Sequence, residues 1–123
     1  MKNLLYVINL DGKKIAFTNG REYIRFVNGN WGKRPIAKAL IVGLFDEQAV
    51  SVDAAKMDKK KAYFLTVGKH QTIAFSSQLA RAVAANEIGI SGESFFEATC
   101  YNWASDVNEI IGKNNVDNRE NEI

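Results

Sequence analysis

The sequence predicts an α+β fold: an N-terminal antiparallel β-meander, extended by a later hairpin and packed by C-terminal amphipathic helices. Three observations carry that expectation. Short runs rich in β-branched and aromatic residues near the N-terminus are divided by Asp11-Gly12 and Asn19-Gly20. A second pair of such runs flanks Gly68-Lys69-His70. From Ser94 onward, a capping signal precedes apolar residues at helical spacing.

Leu4 to Leu10, Lys13 to Thr18 and Arg21 to Val27 are the three expected meander strands. Asp-Gly and Asn-Gly favour type I′ turns because both central residues need positive φ. Two-residue loops fix the register. Tyr6 then faces Phe17, Ile8 faces Ile15 and Leu10 faces Lys13; in the second hairpin Phe17 faces Glu22, Ile15 faces Ile24 and Lys13 faces Phe26. One face becomes apolar, with Tyr6, Ile8, Leu10, Ile15, Phe17, Ile24 and Phe26. The other carries Asn9, Lys14, Thr18, Arg21, Tyr23 and Arg25, with Leu5, Val7 and Ala16 between them, and is basic with an aromatic at its centre.

Asn30 to Pro35 reads as a loop containing Trp31, Lys33 and Arg34. Ile36, Leu40 and Leu44 follow helical spacing, and Pro35 suits a first helical turn, so Ile36 to Phe45 reads as helix, with a buried strand over Ala39 to Phe45 as the alternative. Ala49 to Met57 is left unassigned. Lys61 to Val67 and Gln71 to Phe75 read as a hairpin, followed by a short helix over Gln78 to Asn86 capped by Ser77. Ser94-Phe95-Phe96-Glu97 matches a capping box. Phe96, Cys100, Trp103, Val107 and Ile111 form an apolar helical stripe after it, stopped by Gly112. Residues 1–113 are expected to form one α+β domain and residues 114–123 a polar, flexible tail. No internal repeat is visible.

A chain of 123 residues with 46% apolar and 24% charged residues has the size and composition of one globular domain. The net charge of +2 is unevenly spread. Residues 1–75 carry a net +7 and residues 76–123 a net −5. Such a split fits either a polyanion-binding face or two halves that attract each other. One cysteine, Cys100, and one histidine, His70, exclude an internal disulfide and argue against a zinc site, which takes four ligands. The apolar run Leu4 to Leu10 is too short for a signal peptide, and no run is long enough to span a membrane. A cytoplasmic location and no membrane partner follow as expectations.

Motifs for catalysis fail on their own residues. Gly68-Lys69-His70 lacks the first glycine and the Ser/Thr of a phosphate-binding loop. Cys100 and His70 are a conceivable nucleophile–base pair, but Cys100 falls on the apolar stripe, where a buried structural thiol is the simpler reading. Glu93 and Glu97 are explained by helix capping and the helix dipole. The expectation is therefore a protein without enzyme activity, metal or cofactor.

Leu5-Tyr6-Val7-Ile8-Asn9-Leu10 resembles the first-strand motif of RNA-recognition-motif domains, and Lys61-Ala62-Tyr63-Phe64-Leu65-Thr66-Val67 resembles their second motif. The chain departs from that family where Asp11-Gly12 makes a hairpin in place of a helix, in the long separation of the two motifs and in the missing glycine of the second. The resemblance covers about a tenth of the chain, and membership does not follow from it.

Basic residues interleaved with aromatics are what remains. Lys14, Tyr23 and Arg25 on the expected sheet face, with Trp31, Lys33 and Arg34 in the adjoining loop, form the expected ligand-binding set. Lysine and arginine neutralise phosphates, and exposed aromatics stack bases. The expected ligand is single-stranded nucleic acid or a nucleotide. The alternative is a protein partner, for a small inhibitor or adaptor docking through the meander edge or the Trp31 loop. An open meander edge would also permit a homodimer.

Overall fold

The computed structural model describes residues 3–10, 12–30, 38–69 and 71–107. Trp31, Lys33, Arg34, His70 and the expected tail at 114–123 lie outside them. The elements run β1 (Leu4–Leu10), β2 (Lys13–Phe17), α1 (Gly20–Asn30), β3 (Leu40–Phe45), a 3-10 turn (Ala54–Met57), β4 (Lys61–Val67), β5 (Gln71–Phe75), α2 (Gln78–Ile88), a short 3-10 turn (Gly92–Ser94) and β6 (Phe95–Tyr101). The mixture of helix and strand is α+β as the sequence implies. Its architecture is a closed six-stranded barrel in the order β1-β2-β6-β4-β5-β3, and not an open meander.

The first hairpin has the expected register, with Tyr6 opposite Phe17, Ile8 opposite Ile15 and Leu10 opposite Lys13. The third meander strand does not exist, because residues 20–30 are helical. Asn19 acts as a helix start and not as a hairpin corner. Its side chain accepts the Arg21 amide at 2.9 Å, and its carbonyl accepts the Glu22 and Tyr23 amides, each at 3.2 Å. Glu22, Tyr23, Phe26 and Val27 then turn inward at helical spacing. Ile24, expected in the core, is 56% exposed.

The closing helix is also corrected. Residues 95–101 form β6, which pairs antiparallel with β4 and parallel with β2. Ser94 caps no helix, and Glu97 stands opposite Tyr63 on the barrel's outer surface. Helix begins only at residues 104–107. Residues 40–45 are strand β3, the alternative to helix that the sequence offered for this segment, held between β1 and β5. The second hairpin, and α2 with the Ser77 hydroxyl accepting the Ala80 amide at 3.1 Å, stand as expected.

The barrel consists of two ββαβ halves, which corrects the reading that the chain has no repeat. Tyr6–Phe17 and Val7–Ala16 in the first half match Tyr63–Phe75 and Phe64–Ala74 in the second. This pairing superposes identical residues at Tyr6 and Tyr63, and over Ile15-Ala16-Phe17 and Ile73-Ala74-Phe75. Parallel pairs join the halves: Ala16 with Cys100, and Ala74 with Leu44. Contacts outside the barrel repeat too. Tyr23 of α1 stacks on Tyr6 at 6.2 Å, while Arg81 at the matching place in α2 lies over Tyr63 at 5.3 Å.

Three apolar clusters follow from strand alternation. Leu5, Val7, Ala16, Val42, Leu44, Ala62, Phe64, Ala74, Ala98 and Cys100 fill the barrel interior. On the outside, α1 and residues 104 and 107 cover Ile8, Ile15, Phe17 and Tyr101. Ala80 and Ala85 of α2 cover Leu65 and Phe75. Every barrel strand is paired on both sides. Among the described residues there is therefore no free sheet edge of the kind expected to permit homodimerisation or strand docking. Among the described residues no helix is long and apolar enough to cross a membrane.

Candidate functional site

Strand direction separates the two ends of the barrel. β1 and β4 run one way and the other four strands run the opposite way. Both hairpin tips therefore emerge at one end, with the starts of β3 and β6 beside them. The opposite end holds the 46–60 connection, whose Ala54 and Met57 are buried in the interior cluster and plug it. Its charges are mixed: Lys56, Lys59, Lys60 and Lys61 share this end with Asp46, Glu47, Asp53 and Asp58.

The hairpin end is polar inside and basic around the rim. Asn9 faces Lys14, and Thr66 faces Thr72, one step above the apolar pairs Val7–Ala16 and Phe64–Ala74. Alternation places all four on the inner side of the strands. The Asn9 side chain accepts the Gly12 amide at 2.8 Å, which fixes the tip where Gly12 has φ +93°. Lys13 and Lys69 are exposed at the two tips, and Lys38 is exposed just before β3. Among the described residues, the carboxylates beside this end are Glu87, near the end of α2, and Glu93, before β6.

Phe96 is the aromatic of this end. One ring face stacks on buried Phe64 at 4.6 Å with an interplanar angle of 5°. The Lys14 ammonium lies 5.1 Å from the Phe96 ring centroid. Phe96 is half-buried, as is Lys14. Its backbone is held from outside by Arg81, whose Nη1 donates to the Phe96 carbonyl at 3.1 Å. The guanidinium lies 4.4 Å over Phe95 as well as over Tyr63, and its Nε has no acceptor among the described residues. Arg81 thus anchors the start of β6 from α2.

Of the expected ligand-binding residues, the three that are described, Lys14, Tyr23 and Arg25, do not share a face. Lys14 is at the inner side of the hairpin end. Tyr23 and Arg25 are on α1, so the basic sheet face built from them is absent. The Tyr23 ring is half-buried against Tyr6 and Phe17, and its hydroxyl accepts the Ala39 amide at 3.3 Å. The Arg25 side chain is 75% exposed and lies 3.8 Å from Glu22. Phe96, Thr66, Thr72, Lys13, Lys38 and Lys69 were missed. The signal for the tip lysines was legible in principle, since both hairpins were recognised; their meeting at one end depends on parallel pairing between the halves.

Cys100 is buried in the barrel interior. Burial pushes its thiol from the ordinary 9.0 up to about 12, opposed by the Ala62 backbone hydrogen bond and reinforced by the Asp58 charge. The thiolate is the reactive form, so thiol reagents at neutral pH should label Cys100 only as the chain unfolds; labelling of native protein at the rate of a free thiol would contradict this burial. Above its unfolded value the thiol ionises in the unfolded chain alone. Its contribution to stability is whole below pH 9.0 and declines as pH rises towards about 12. Among the described residues there is no group of three His, Cys, Asp or Glu side chains placed to hold a metal ion.

Comparison with known proteins gives no match to a family model, a curated protein or a solved structure.

Proposed function

We propose that the protein is a non-enzymatic binding protein for a phosphate-bearing ligand, single-stranded nucleic acid or a nucleotide, taken at the hairpin end of the barrel. The observation carrying this reading is the convergence of the two hairpin tips. They bring Lys13, Lys14 and Lys69 to one end, with Lys38 beside them and hydroxyl and amide groups inside the ring. Exposed cations release counterions when they meet phosphates, which favours binding at low salt. At the plugged opposite end the described residues of the 46–61 connection include as many carboxylates as lysines, so their charges oppose one another.

The test is a salt-dependent titration of a labelled single-stranded oligonucleotide. Wild-type protein is expected to bind at low salt, with log affinity falling linearly against log salt. Lys13→Glu combined with Lys69→Glu should abolish that binding without unfolding the domain, since both side chains are exposed. Arg25→Glu, on the outer face of α1, should leave it nearly intact. Loss with Arg25→Glu and none with the lysine pair would move the ligand to the helix.

A second reading, a protein partner, is favoured by one observation. Leu79 and Val83, 63% and 44% exposed, line the outer surface of α2 with exposed Ala82 between them. Spacing of three and four residues makes an apolar stripe where a solvated helix normally carries charge. On this reading Leu79→Glu with Val83→Glu would disrupt a complex recovered with the protein, and oligonucleotide binding would be absent at every salt concentration.

A further inference from the structure

We infer that Lys14 covers a stacking surface for a nucleobase on Phe96, so that the hairpin end takes a nucleotide unit, a planar ring joined to a phosphate, and not phosphate alone. The inference rests on the phosphate-binding reading and narrows its ligand.

Phe96 has one face committed to Phe64, at 4.6 Å and nearly parallel. That stack fixes one side of the half-buried ring, and the Lys14 ammonium sits over it at 5.1 Å from the centroid. No carboxylate lies within ion-pairing distance of Lys14 among the described residues. A cation–π contact at a partly exposed site is weaker than a charge-assisted hydrogen bond to phosphate. A phosphate arriving at the basic rim therefore draws Lys14 from the ring, and the uncovered ring then receives the attached base. One movement serves both parts of the ligand.

The internal repeat supplies a comparison within the same molecule. The positions matching Phe96 and Lys14 in the other half are Leu40 and Thr72. That half has no ring and no cation in these places, so the pairing is a property of one side of the barrel end and not of the barrel's construction. The geometry thus offers one base-stacking position, flanked by the Thr66 and Thr72 hydroxyls and the Asn9 amide.

The test compares a labelled oligothymidylate with an abasic oligonucleotide of equal length, which keeps the phosphates and lacks the bases. Stacking on one aromatic is worth roughly a 5- to 150-fold preference for the strand that has bases. Phe96→Leu, which copies the residue of the other half, should remove that preference and leave abasic binding unchanged. Phe96→Tyr keeps a ring and should retain it, which guards against a fold defect at position 96. Lys14→Met should weaken both strands and lower the salt slope by about 0.7. Saturation by thymidine monophosphate would identify a free nucleotide as occupant, and binding of the oligomer alone would identify a strand; either result supports the ring-plus-phosphate site. Equal affinity of wild type for both strands, or a preference that survives Phe96→Leu, overturns the inference while leaving the phosphate-binding reading in place. Binding of neither strand and of no thymidine monophosphate overturns both.

Discussion

Phe64→Ala is expected to cost about 3–5 kcal/mol of folding stability, the range for deleting a fully buried aromatic. Phe64 has no exposed surface and is among the largest side chains wholly inside the barrel. It pairs across strands with Ala74 on one side and with Phe96 on the other. Its neighbours in the interior cluster include Ala16, Ala62, Ala74 and Ala98. Alanines have little volume with which to close a cavity, so the upper part of the range applies. Against a usual net stability of about 5–15 kcal/mol the loss is a large fraction. The denaturation midpoint should fall steeply, and Phe64→Leu should recover most of it. A loss under about 1 kcal/mol would mean that the barrel is not packed around this ring. The same substitution removes the stacking partner of Phe96, so any oligonucleotide binding should weaken with it.

The two β-hairpins were legible because their turns are local. Asp11-Gly12 and Gly68-Lys69-His70 sit between short β-rich runs, and adjacent strands need no distant partner to set their register. What went unseen was set at long range. Phe96 and Cys100 are four residues apart, as are Leu40 and Leu44, and a spacing of four is even. Such residues share a face in a strand as well as in a helix. Only the neighbours decide: β6 lies between β4 and β2, and β3 between β1 and β5, where a row of backbone amides and carbonyls on each side must be satisfied. Asn19-Gly20 misled for a different reason. Asparagine favours both tight turns and helix starts, and the residues after it, with Glu22, Ile24 and Phe26 alternating, also contain Tyr23, Phe26 and Val27 at helical spacing.

In the candidate site, the sequence points to Lys14 through neighbours that the fold does not give it. It was grouped with Tyr23 and Arg25 through a strand pairing that does not form. Its actual companions, Phe96 and the second hairpin tip, lie some 55 to 80 positions away along the chain. The repeat could have linked them, but its identity is concentrated in Tyr6/Tyr63 and one Ile-Ala-Phe triplet in each half. A few other matched positions keep polarity and size without keeping the residue, as with Thr18 and Ser76, or Asn19 and Ser77, while others, such as Lys14 and Thr72 or Tyr23 and Arg81, keep neither.

Glu22→Ala should cost about 1.5–3 kcal/mol, the usual worth of a buried hydrogen bond to a charged group. Glu22 is a buried carboxylate, 6% exposed, whose Oε1 accepts the Ala104 amide at 2.9 Å. That amide opens the helical stretch at 104–107, so Glu22 serves as its cap from a distant element, with the helix dipole adding to the attraction. The Arg25 guanidinium lies 3.8 Å from the other oxygen, but its exposure leaves this ion pair a small contribution. The loss should therefore track the hydrogen bond and not the charge pair. Arg25→Ala is expected to change stability by less than about 1 kcal/mol, whereas Glu22→Ala leaves a buried amide unpaired and loosens Ala104 and Val107 from the cluster formed with Phe17, Phe26 and Tyr101. Amide hydrogen exchange at Ala104 should accelerate in Glu22→Ala before the barrel amides are affected. Glu22→Gln retains an acceptor oxygen and should restore much of the protection. Equal losses in Glu22→Ala and Arg25→Ala, with no local change in exchange, would show that α1 and the 104–107 segment are held together by apolar packing alone.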